Sequence, residues 1–91
     1  MTQDPSDRDF SPAIYDVMRE LATHLSGRYV EWMNEATTPE AEAHWREEHF
    51  RVMREVRAVD PDSRSAIEAH TALLSEAHAR MPRHAPPFPA E

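Results

Sequence analysis

Ninety-one residues make one domain and not two, and a core of that size has little margin without a staple or a partner. The chain has no cysteine, which excludes disulfides, thiol catalysis and thiolate-held zinc or iron–sulfur centres. Its net charge of -7, with the acidic residues spread along it, argues against a nucleic-acid partner, whose phosphates must be neutralised by cations.

Lys is absent and every one of the 10 basic residues is Arg, so Schiff-base chemistry and a phosphate-binding lysine are also excluded. An Ala-, Arg- and Glu-rich chain without Lys has the coding bias of a high-GC bacterium. Residues 1–10 are polar and acidic and lack the basic flank and apolar run of a signal peptide, so they read as a flexible lead-in to a cytoplasmic protein. No apolar stretch reaches membrane-spanning length.

Order begins at Phe10. Ser11-Pro12 pairs an N-cap with a first-turn proline, and Phe10 and Tyr15 stand at the positions of a hydrophobic staple. Ile14, Met18, Leu21, Leu25, Tyr29, Trp32 and Ala36 then recur three or four residues apart, which predicts a first helix over about 12–36. Ser26-Gly27 is its weak point, but the stripe keeps its phase across it. Tyr15, Ala22, Val30 and Met33 widen the apolar face, so this helix needs covering on two sides.

Thr37-Thr38-Pro39-Glu40 is the next start signal: either Thr can cap, and with Thr37 as the cap Glu40 would complete a capping box. A helix over about 39–59 follows, with Ala41, Trp45, Val52, Val56 and Val59 on one face and expected ion pairs Glu42–Arg46, Glu47–Arg51 and Arg51–Glu55 on the other. Phe50 stands away from that apolar face. Asp60-Pro61 repeats the cap-and-proline pattern, with Asp62 and Ser63 as further caps. It opens a helix over about 61–81, in which Ile67, Leu74 and Met81 keep heptad spacing with Leu73 and Ala77 beside them. Residues 82–91 are Pro-rich and expected to be extended, with Phe88 suited to an aromatic groove or to packing back on the helices. The fold expected is all-α: a three-helix antiparallel domain over residues 11–81, between a flexible lead-in and an extended tail.

Six histidines raise the question of a metal. His44 and His49 are five apart, about 140° around a helix, which is the wrong spacing for a zinc-protease motif. His49 and His70 interrupt the apolar stripes of the second and third helices at nearly one level from the Asp60-Pro61 turn, and His24 falls at a similar height on the first. A zinc ion held by His24, His49 and His70, or proton sensing by the same residues, is therefore one reading, set against ordinary interfacial histidines. No serine or threonine sits in a strained turn beside a base, and no cofactor or enzymatic activity is expected. Arg46, Arg51, Arg54, Arg57 and Arg64 form a stripe that could serve a DNA-binding regulator, but interleaved glutamates favour a solvated salt-bridge face. The expected function is a non-enzymatic protein–protein interaction module of the regulator, adaptor, inhibitor or antitoxin kind. It would bind itself as a homodimer or another protein through Tyr15, Val30, Met33, Phe50 and Phe88.

Overall fold

A computed structural model describes residues 10–89. The lead-in expected for residues 1–10 lies, apart from Phe10, outside them, as do residues 90 and 91 of the tail. Three helices form as the periodicity predicts: α1 over Ala13–Glu35, α2 over Pro39–Arg57 and α3 over Arg64–Arg80. Ser11 does cap α1, its Oγ accepting from Ala13 N at 3.2 Å, and Phe10 and Tyr15 pack against the core as a staple should.

At the second start Thr38 is the cap, accepting from Ala41 N at 3.1 Å, with Pro39 in the first turn. With Thr38 as the cap, the capping-box position passes from Glu40 to Ala41 and no box forms. The start of α3 also differs from its expected position at residue 61. Asp60 builds a turn, accepting from Asp62 N through Oδ1 at 2.9 Å and from Ser63 N through its carbonyl at 3.2 Å. Pro61 fits the second position of that turn, and the cap is Ser63, whose Oγ accepts from Ala66 N at 3.2 Å. Ser63 is buried as it does so. α2 stops at Arg57, two residues before its expected end, because Asp60 precedes a proline and is kept out of the helical region.

α1 is the central element and packs against both α2 and α3, which hardly touch one another. Trp32 meets Trp45 and Ser26 meets His49, so α2 runs antiparallel to α1. Ile14 and Ile67 line one crevice and His24 lies beside His78, so α3 runs parallel to α1. This arrangement accounts for much of the width of α1's apolar face, since one helix has two neighbours, while Val30 and Met33 stay partly open. Met18, Ala22 and Leu25 of α1, Val52 and Val56 of α2, and Ile67 and Leu74 of α3 form the buried core. Met18 and Ile67 have no exposed surface at all.

α1 passes through Ser26-Gly27 without a break. A Cβ built on Gly27 meets nothing within 4 Å, and the residue has no positive φ. Gly27→Ala should therefore raise stability by about 0.5–1 kcal/mol, by removing backbone freedom from the unfolded chain, as a urea melt followed by circular dichroism would read.

The surface of α2 carries the expected lattice with one change of partners. Arg46 pairs with Glu42, and Arg51 with Glu55 at 3.1 Å. Glu47, expected on Arg51, instead pairs with Arg54 at 2.9 Å, while Arg51 takes Glu48 at 2.6 Å.

Candidate functional site

The tryptophans gather at the end of the α1–α2 hairpin. Trp32 is buried near the end of α1 and Trp45 on the second turn of α2. Their rings meet edge to face at 4.9 Å, and Tyr29 stacks on Trp45 at 6.0 Å. Edge and offset contacts of this kind add to the burial itself. Burial, reinforced by the negative charge of Glu48, raises the Tyr29 hydroxyl above its ordinary pKa of 10.0; neighbouring Arg51 opposes the shift. Arg51 is itself held more firmly protonated by its hydrogen bond to Glu48. Trp32 Nε1 is buried and has no acceptor among the described residues.

The tail returns to this end. Arg28 donates to the Arg83 carbonyl at 3.2 Å, and the Glu35 carboxylate meets His84 Nδ1 at 3.2 Å and accepts from Ala85 N at 3.4 Å. The His84 hydrogen bond, with that from Ala85, holds the Glu35 carboxyl below its ordinary pKa of 4.5. Phe88 then lies flat on His44, ring centroids 4.0 Å apart and 10° from parallel, with Trp45 edge-on at 6.4 Å. Between tail and hairpin remains a recess of about 460 Å³, lined by Glu35, Thr37, Thr38, Ala41, Trp45 and Pro86 among others. Of the two outcomes expected for Phe88, packing back on the helices is the one seen. His44 entered the sequence reading only as half of a failed metal spacing; nothing in the local pattern marks it as the platform for a residue 44 positions later.

A second surface lies on the flank of the hairpin turned away from α3. Ser26 and His49 are hydrogen-bonded across α1 and α2, and Ser26 is buried. Val30 and Met33 follow Ser26 by four and seven residues and share its side of α1; Met53 follows His49 by four and shares its side of α2. The Phe50 ring sits 5.1 Å from that of His49 and is 49% exposed, with Val30 and Met33 only half-covered. Tyr15 is also half-buried, packed against the core near the Pro61 turn. Thus Val30, Met33 and Phe50 share a flank, Tyr15 lies at the opposite end of α1 from the tryptophans, and Phe88 belongs to the aromatic end. Val17, not named from the sequence, is 54% exposed, and Leu73, expected beside the α3 stripe, is 63% exposed. Leu73 stands at the mouth of a crevice that Arg51, Val52 and Glu55 of α2 also line.

The three histidines of the metal reading have separate surroundings. His24 is exposed beside His78, their rings 6.4 Å apart. His49 faces Ser26, and His70 lines a crevice of about 240 Å³ over Leu25 and Tyr29, its Nε2 buried without a partner among the described residues. Among the described residues no three His, Asp or Glu side chains are grouped to hold a metal ion. Replacing Ser26 by Ala should leave a half-buried ring nitrogen of His49 unsatisfied and cost about 1–2 kcal/mol; calorimetric melting of that variant against wild type measures it.

Four of the five arginines of the proposed stripe are engaged by carboxylates on their own helices: Arg46, Arg51, Arg54 and Arg64, the last with Glu68 at 2.9 Å. No described helix is long and apolar enough to cross a membrane. Comparison with family models, curated proteins and solved structures finds no match for this chain.

Proposed function

We propose that the protein is a non-enzymatic interaction module of regulator, adaptor, inhibitor or antitoxin type, acting through the flank of the α1–α2 hairpin that carries Val30, Met33 and Phe50. The supporting observation is Phe50, a large ring left 49% exposed on a helix whose other bulky apolar residues are buried or half-buried. Partly open Val30 and Met33 on the same side make it an apolar surface wider than a single residue, and such surfaces mark contact sites. The partner is a protein, a second copy of the chain included.

Sedimentation equilibrium of wild type and Phe50→Ser, with mass spectrometry of what each retains from its native cell, tests this reading. Self-association, or a retained protein, that Phe50→Ser abolishes without lowering the melting temperature is the expected result. A monomer at every concentration that retains the same proteins with and without Phe50 overturns it.

A second reading, sensing of protons or a metal through His24, His49 and His70, has one observation in its favour: the buried His70 Nε2, with no partner among the described residues. Melting of wild type and of a His49→Ala, His70→Ala double variant, with and without zinc and from about pH 5 to 8, tests it. Equal responses of the two proteins exclude it.

A further inference from the structure

We infer that the aromatic end of the α1–α2 hairpin is a recognition groove for proline-rich segments bearing an aromatic residue, and that the protein's own tail keeps it occupied. This surface is distinct from the Phe50 flank and stands whether or not that flank binds a partner.

The tail itself shows the chemistry of the occupant. Pro86-Pro87-Phe88-Pro89 crosses the hairpin end with its one aromatic ring stacked on His44, while Pro86 and Pro87 roof the recess over Ala41 and Trp45. Aromatic walls suit proline segments, because a prolyl ring is compact and apolar and the chain around it is stiff before it binds. Glu35 adds polarity to one end: it takes a backbone N–H and a histidine just before the prolines. The segment recognised therefore has a basic or imidazole side chain, then prolines, then an aromatic ring.

The tail is held for release. Its polar contacts are made by side chains open to water, with His84 76% and Glu35 42% exposed, and exposed pairs hold weakly. Phe88 itself remains 36% exposed on its platform. A tethered segment competes through its high local concentration, in the millimolar range for short tethers, so a free peptide binds only as the tail vacates.

The probe is a capped synthetic peptide with the sequence of residues 83–90, titrated into the full-length chain and followed by tryptophan emission and by NMR shifts of His44 and Trp45. Full-length Phe88→Ala, whose helical circular dichroism should be unchanged, is expected to bind the peptide at least about tenfold more tightly than wild type does. The same peptide with Ala in place of its Phe should bind that variant at least about tenfold more weakly, as should a His44→Ala, Phe88→Ala chain. Equal affinity of wild type and Phe88→Ala, or no binding to either at millimolar peptide, overturns the inference. Dimerisation of wild type that Phe88→Ala abolishes also overturns it, since the occupant would then be the tail of a second copy.

Discussion

Replacing Trp45 by Ala should cost the protein about 3–5 kcal/mol, the largest loss expected of any single truncation. Trp45 is only 7% exposed and has contacts on every side: Trp32 edge-on at 4.9 Å, Tyr29 stacked at 6.0 Å, His44 at 4.4 Å and Phe88 at 6.4 Å. Removing the indole withdraws a large apolar area from the core, deletes several ring contacts, and leaves a cavity that the start of α2 cannot close, because Thr38 and Pro39 fix its position. A domain of this length has roughly 5–15 kcal/mol of stability in total, so the variant should lose at least about a fifth of the wild-type urea midpoint, and nearly all of it at the low end of that range. Trp45→Phe, which keeps a ring at the site, should recover more than half of the loss. A Trp45→Ala midpoint within experimental error of wild type would show that the aromatic end carries little of the stability.

The second large effect is expected at the other end. Ile67 is completely buried and joins α3 to Met18 and Leu25 of α1 and to Val52 and Val56 of α2 in one core. Ile67→Ala should cost about 2–5 kcal/mol and Ile67→Val about 0.5–1.5 kcal/mol, the difference arising from the cavity as well as the lost methyl groups. α3 has Leu74 as its only other fully buried helical residue, so little remains to hold the helix once Ile67 is truncated. Denaturant titration of both variants measures these values, and equal losses for Val and Ala would contradict the cavity account.

How far the sequence could be read depended on whether a signal was local. The stripe from Ile14 to Trp32 and the face from Ala41 to Val56 are set by 3.6-residue spacing alone, and their members form the core. The start of α2 was legible from its threonines and proline, but which of Thr37 and Thr38 caps it was not, and the structure uses Thr38. The α3 start was open too, since Asp60, Asp62 and Ser63 can all cap and Pro61 serves a turn as well as a first helical position; the burial of Ser63 decides it, and burial is tertiary. Placing His49 and His70 together assumed that α2 and α3 face one another across their turn. Each faces α1 instead, which sends His49 to Ser26 and leaves His70 in a crevice. The return of Phe88 to His44 was open for a related reason: prolines erase the periodicity from which a docking face is inferred. Phe50, by contrast, was marked by its position off the α2 stripe, and it is exposed.

Because α2 and α3 are joined through α1 and scarcely to each other, the two arms need not come undone together. Both indoles lie between α1 and α2, so emission from this protein watches one arm, while ellipticity watches three helices. Detachment of α3 with the tail still docked would expose amide protons of residues 64–80 to exchange with solvent while leaving the tryptophans dry. Native-state exchange should accordingly find the α3 amides the fastest of the three helices, and a spectroscopist relying on fluorescence alone would record a single clean transition and miss the earlier one.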